Sequence, residues 1–181
     1  MFDRRGGFWF TDLGAVTKRE IIRGAVYYAR TDGSLIRRAI FPVFMPNGVG
    51  LSPDGGTLYV AETDTSRLWA YPIIGEGGVA LEPWPSPNGG RIVYGGPGYQ
   101  RFDSLAVEAG GNICVATLVN GGVSTISPSG ELVDFWRAPE HYCTNICFGG
   151  PDLKTAFITL SSSGRLVAVD WPRPGLKLAY D

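Results

Sequence analysis

Pro46-Asn47-Gly48-Val49-Gly50-Leu51-Ser52-Pro53-Asp54-Gly55-Gly56-Thr57-Leu58-Tyr59-Val60-Ala61-Glu62-Thr63 is the stretch that decides the fold. Asn47 stands at the mouth of a short apolar strand. Ser-Pro-Asp-Gly-Gly then supplies turn residues, and a second strand of apolar and small residues follows. The pattern returns at Phe102-Asp103-Ser104-Leu105-Ala106-Val107-Glu108-Ala109-Gly110-Gly111-Asn112-Ile113-Cys114-Val115-Ala116-Thr117. Each repeat opens on an oxygen-bearing side chain. Several strands that aim their first residues at one shared point can build a metal site.

Working outward, a Gly-rich turn followed by a β-rich strand occurs four times, at Gly6–Asp12, Gly55–Ala61, Gly110–Ala116 and Gly149–Thr159. The spacing of roughly 40 to 55 residues is that of a four-stranded propeller blade. A further strand follows each turn-strand unit, at Gly24–Ala29, Ser66–Tyr71, Gly122–Ser127 and Gly164–Val169. Hairpin signals come next at Thr31-Asp32-Gly33-Ser34 and Ser127-Pro128-Ser129-Gly130, with outer strands at Leu35–Ile40 and Glu131–Trp136. No segment has a 3.6-residue apolar period, so helix is expected to be scarce. Gly75–Gly98 reads as a long Gly- and Pro-rich excursion between strands, and Trp171-Pro172-Arg173-Pro174-Gly175 as a turn inside the last repeat. No linker divides the chain, so residues 1–181 are expected to form one domain. Aligning the apolar residue before each Gly-rich turn puts Phe2, Leu51, Val107 and Phe148 in one column. Asn47, Asp103 and Thr144 then lie four residues earlier, and the first repeat's member would precede Met1.

Composition bounds the function. The chain has 181 residues, 44% of them hydrophobic, with a mean hydropathy of +0.04, which suits a folded core rather than disorder. Lys+Arg 16 against Asp+Glu 17 gives a net charge of −1 and no electrostatic case for nucleic acid or an anionic membrane. Three cysteines, Cys114, Cys143 and Cys147, complete no zinc pattern and read as buried thiols in a reducing compartment. Cys143 and Cys147 would share one face of a strand. Met1–Gly6 has no apolar signal core, and no window reaches the length of a membrane span. The expected location is the cytoplasm.

The motifs Gly6–Asp12 (GGFWFTD), Pro46–Gly55 (PNGVGLSPDG), Leu58–Thr63 (LYVAET), Asp103–Val107 (DSLAV) and Thr144–Gly150 (TNICFGG), in that order, resemble the SMP-30/gluconolactonase/luciferin-regenerating family. The resemblance implies an all-β, six-bladed β-propeller, of which about four blades fall in this chain. It covers roughly the C-terminal two-thirds of the family's domain, with the first blades absent. It also implies one divalent metal on the central axis, held by Asn47 and Asp103, with Asp103 as general base. The family's first-blade Glu and a further Asn-Asp pair have no counterpart here.

The expected function is metal-dependent hydrolysis of sugar lactones or related esters. Such a metal polarises the carbonyl and acidifies water, and a neighbouring carboxylate takes the proton. Oxygen ligands suit Ca²⁺ best, with Zn²⁺ or Mn²⁺ as alternatives. Taken without the repeats, Asn47 would be a turn residue and Asp103 a solvated loop carboxylate. Thr144 and Asn145 read as hydrogen-bonders at a strand mouth, and His141 as a surface loop residue. Glu62 and Asp64 carry no assigned chemistry. Trp9, Phe10, Tyr27, Tyr59 and Trp69 read as packing between blades. The contrasting functional expectation is a non-catalytic or truncated propeller that binds a ligand or a protein. Exposed blade edges also predict self-association.

Overall fold

The computed structural model describes residues 1–180. Among them there is no helix. The chain opens with β1 (Gly7–Asp12), passes through a small hairpin of β2 (Ala15–Val16) and β3 (Ile21–Ile22), and continues with β4 (Gly24–Arg30) and β5 (Ile36–Val43). β6 (Pro46–Leu51), β7 (Thr57–Glu62) and β8 (Arg67–Gly75) follow, then the short β9 (Gly78–Val79) and β10 (Arg91–Gly95). β11 (Phe102–Val107), β12 (Ile113–Thr117), β13 (Gly122–Ile126) and β14 (Leu132–Arg137) form the next group. β15 (Cys143–Gly149), β16 (Thr155–Leu160) and β17 (Arg165–Asp170) complete the series.

These strands make four successive antiparallel sheets, ordered β1-β4-β5, β6-β7-β8-β10, β11-β12-β13-β14 and β15-β16-β17. The first sheet begins with what is the second strand elsewhere. Its inner position is held by the Phe2–Phe8 bridge, with Trp9 N–H donating to the Met1 carbonyl at 2.9 Å. Phe2 thus pairs where Leu51 pairs with Leu58 and Val107 with Ile113, as the sequence column requires. The Gly75–Gly98 excursion is less irregular than its composition suggests. It contains β9 and also β10, the outer strand of the second sheet.

Stacking of the sheets explains the strand sequences. Leu58 and Val60 of β7 pack toward the first sheet with Trp9, Tyr28 and Trp69. Tyr59 and Ala61, on the opposite face, pack with Phe102, Leu105 and Val115 of the third sheet. In β12, Ile113 and Val115 face the second sheet while Cys114 and Ala116 face the fourth. A strand covered on both faces reads as a continuous apolar run, because each side of the period-2 alternation must be apolar.

Two sequence expectations are corrected here. Phe10 and Tyr27 do not pack between sheets. They stack on each other, centroids 5.3 Å apart, on the half-exposed outer face of the first sheet, while Trp9, Tyr59 and Trp69 are buried as expected. The Trp171–Gly175 segment is not a turn within the last sheet but a strap that crosses to the third. Ala109 N–H bonds the Pro174 carbonyl at 2.9 Å, and Leu176 N–H bonds the Val107 carbonyl at 2.9 Å. The strap reaches the first sheet, where Tyr180 meets Phe2 edge-on at 5.5 Å. All of these contacts lie at the C-terminal ends of the inner strands, opposite Asn47 and Asp103.

Candidate functional site

The inner strands β6, β11 and β15 share one irregularity. Pairing with the second strand jumps between Pro46 and Val49, between Phe102 and Leu105, and between Cys143 and Asn145. Each jump is a β-bulge, an inserted residue that bends the strand and re-aims a side chain. The residues in the three bulges include Asn47, Asp103 and Thr144. The repeat column therefore marks a recurring backbone device and not merely matching residue types.

Two of the three bulged side chains come together. The Asn47 amide stands beside the Asp103 carboxylate across neighbouring sheets and favours its charged form. Asn47 Nδ2 also lies 3.4 Å from Thr63 Oγ1, and the Asn47 carbonyl accepts from Thr11 Oγ1 at 2.8 Å. Gly48 makes this approach possible. A Cβ there would sit 2.7 Å from both the Asp103 carbonyl oxygen and the Leu105 nitrogen, backbone atoms that cannot swing away. Asn47-Gly48 is thus a bulge within a strand, and its glycine serves close packing of β6 on β11 rather than a turn.

Burial pushes the Asp103 carboxyl above the usual carboxylate range, although the Asn47 amide, the Ser104 N–H and the Arg101 guanidinium all oppose the shift. A carboxylate raised in this way, half-buried at a strand mouth, is a stronger base than one in water. Arg101 is in turn fixed by an ion pair with Asp64 from the second sheet's β7–β8 turn.

Thr144 and Asn145 are engaged within the fourth sheet. Thr144 Oγ1 shares a hydrogen bond with Thr159 Oγ1 at 2.8 Å, and Asn145 Oδ1 accepts from Ile146 N–H at 2.8 Å. His141 is an exposed loop residue with Nδ1 2.9 Å from the Val119 carbonyl. The bulge also corrects the cysteine expectation. Inserting Thr144 changes strand parity, so Cys143 is buried and Cys147 is exposed.

Sequence reasoning missed the roles of Thr11, Thr63 and the Arg101–Asp64 pair; Thr11 and Thr63 lie within the motifs GGFWFTD and LYVAET, but nothing in those motifs marks them as partners of Asn47. It also missed the role of Glu62, which is 3% exposed. Its carboxylate accepts from Phe44 N–H at 2.9 Å, Thr65 Oγ1 at 2.6 Å and Asn88 Nδ2 at 3.3 Å, so it ties the Gly75–Gly98 excursion to the site end. A Glu closing an apolar strand was the one available signal.

For a divalent metal, the pair offers one carboxylate and one amide oxygen, both hard donors. They fit two of the six to eight oxygens that Ca²⁺ takes. Among the described residues, no group of three or more His, Cys, Asp or Glu side chains is placed to hold a metal.

Residues 1–162 match the model of the SMP-30/gluconolactonase/LRE-like region. Lactonase drp35 of Staphylococcus saprophyticus is 34% identical over 133 residues, which is 74% of this chain and 39% of that protein. A solved gluconolactonase from Xanthomonas campestris is 26% identical, with a TM-score of 0.66 over 86% of this chain and 51% of the other. The calcium-binding protein regucalcin from Agrobacterium tumefaciens shares the fold at a TM-score of 0.72 and 22% identity, over 96% of this chain and 62% of its own. The chain thus spans about four-tenths of its curated relative and about half of the Xanthomonas enzyme. Its stacked antiparallel sheets are those of the β-propeller, and the chain belongs to the SMP-30/gluconolactonase/LRE-like family.

Proposed function

We propose that this chain takes part in the hydrolysis of sugar lactones or related esters, with a divalent metal ion, Ca²⁺ foremost, held in part by Asn47 and Asp103. The observation that carries the reading is the Asn47–Asp103 contact, made across two sheets by bulges that repeat at one height. The lactonase and gluconolactonase relatives support the substrate class.

A metal bound there would polarise the lactone carbonyl and acidify a water molecule. The chain's own residues do the rest. Asp103 accepts the proton of the attacking water. The Asn47 amide stands beside the Asp103 carboxylate, and the Arg101 guanidinium, fixed by Asp64, places positive charge near it. The water oxygen bonds to the carbonyl carbon, the ring C–O bond breaks, and the departing alkoxide takes up a proton to give the open hydroxy acid. Free cysteines, one of them exposed, support a reducing compartment such as the cytoplasm.

The test is acid release from gluconolactone, followed by pH-stat with Ca²⁺, Zn²⁺ or Mn²⁺ added in turn. Hydrolysis that depends on one metal and is lost in Asp103→Ala supports the proposal. No hydrolysis with any of the three, or full activity in Asp103→Ala, sinks it.

A further inference from the structure

Successive residues leading into β11 face opposite ways. Arg101 and Asp103 are half-buried on the candidate-site side, whereas Gln100 and Phe102 are buried. Behind Phe102, between the second and third sheets, lies a cavity of about 250 Å³ that includes both. Aromatic rings form much of its wall. Tyr94 and Phe102 stack at 6.3 Å and 22°, and Phe135 of the third sheet also lines the cavity.

The polar groups of the cavity are unevenly satisfied. Thr117 and Ser124 are 2% and 6% exposed and share a hydroxyl hydrogen bond of 2.8 Å, and Thr117 also donates to the Val115 carbonyl at 3.1 Å. Their protons are therefore committed. Gln100 is different. It is 7% exposed, and its Oε1 accepts from Asn120 N–H at 3.1 Å. A backbone N–H can only donate, so the amide's orientation is fixed and its Nε2 is left as a donor with no partner in the fold. Arg137 lines the same cavity, 5.7 Å from the Phe135 ring, and makes no ion pair among the described residues. No Asp or Glu lines the space.

A half-enclosed space with flat apolar walls, two uncommitted donors, a full positive charge and no acid selects an anion with a flat apolar body. We infer that this cavity is a second ligand site, distinct from the Asn47–Asp103 centre, for a small carboxylate carrying a planar ring. The carboxylate would take hydrogen bonds from Arg137 and Gln100 Nε2, and the ring would lie between Phe135 and the Tyr94–Phe102 pair. Phe102 adjoins Asp103 in β11, so an occupant of the cavity rests on the strand that presents the proposed base.

Benzoate is the probe, with benzyl alcohol as the uncharged control, titrated into the full chain by calorimetry in EDTA. Chelation removes any metal able to bind the carboxylate at the centre. The expected result is benzoate binding at least tenfold tighter than benzyl alcohol, weakened at least tenfold in Arg137→Gln and in Gln100→Leu. Arg137 is exposed, so its replacement should leave the circular dichroism spectrum of the fold unchanged. Binding should be unchanged in Asp103→Asn. Absent benzoate binding, equal binding of the alcohol, undiminished binding in Arg137→Gln, or loss in Asp103→Asn would each overturn the inference. None of these readouts requires lactone hydrolysis, so they stand or fall apart from the proposed activity.

Discussion

Asp103 and Glu108 bracket the same inner strand and meet opposite fates. Asp103 stands in the bulge at the mouth of β11, where burial raises its carboxyl despite three opposing partners. Glu108 follows the strand's other end and is fully buried. Burial alone would raise it too, yet it is held below the usual range by Arg173, by Trp171 Nε1 at 2.8 Å and by Asn112 Nδ2 at 2.8 Å. The Arg173 contact is an ion pair of 2.7 Å. Two of these donors come from the strap, so Glu108 fastens it beneath the third sheet. One carboxylate is kept basic and under-coordinated, as chemistry requires. The other is saturated, as structure requires.

The largest expected effect tests the first half of this contrast. Asp103→Asn should lower metal-dependent lactone hydrolysis by about 10²- to 10⁴-fold, the usual contribution of a positioned general base. The same substitution in the metal-free chain should leave the melting temperature unchanged or higher, since it removes a carboxylate that burial disfavours. A lower melting temperature would mean that Asp103 is structural and that the contrast with Glu108 is false.

Glu108→Gln should do the reverse. It strands Arg173 and should cost about 2–3 kcal/mol, below the ~3–5 kcal/mol of a fully buried pair because Arg173 keeps part of its side chain in water. For a chain of this size that lowers the melting temperature by about 5–10 °C. The sign with pH follows from the depressed folded value. The Glu108 contribution is complete above the unfolded glutamate pKa of about 4.3 and is lost as pH falls through the lower, folded value. The stability gap between the wild type and Glu108→Gln in urea should therefore begin to narrow below about pH 4.3 and close only below the folded Glu108 value. A gap that stays constant down to pH 3 would show that Glu108 does not act through its charge.

A smaller effect is expected at the contact that joins the site. Gly48→Ala forces the backbones of β6 and β11 apart and should cost about 1–3 kcal/mol, as overpacking does. It should also reduce hydrolysis more than stability alone explains, because Asn47 moves with the strand. Activity that merely tracks the folded fraction would separate Gly48 from the site.

Much of this was legible in the sequence, for identifiable reasons. The doubly covered strands β7 and β12 announced themselves as Leu-Tyr-Val-Ala and Ile-Cys-Val-Ala, with no polar face. The column of Leu51 and Val107 located Asn47 and Asp103 at one height because register is periodic. What escaped depends on single insertions or on distant partners. Asn47-Gly48 has the composition of a turn and is a bulge. β10 was hidden by the glycines and prolines around it. Glu108 carries no local sign that Trp171 and Arg173, more than sixty residues on, will come to meet it. Phe10 and Tyr27 have core composition but occupy an outer face, which only the order of the sheets reveals.

The smallest effect probes the bulge where it carries no proposed chemistry. Cys143 and Cys147, four residues apart in β15, would share a face in a regular strand. The extra residue at Thr144 breaks that parity, burying one thiol and exposing the other. Burial pushes Cys143 up to about 12 and Cys114 higher still, so neither offers a thiolate at neutral pH. A thiol reagent should therefore modify one cysteine of the native chain rapidly and the other two only on unfolding. Cys147→Ser should abolish the fast phase while changing stability by less than about 0.5 kcal/mol, as surface substitutions do. Fast labelling of Cys143 in the native chain would mean that β15 is regular at Thr144. The recurrence of the bulge in three inner strands would then fail, and with it the strongest reason to place Asn47 and Asp103 at one designed height.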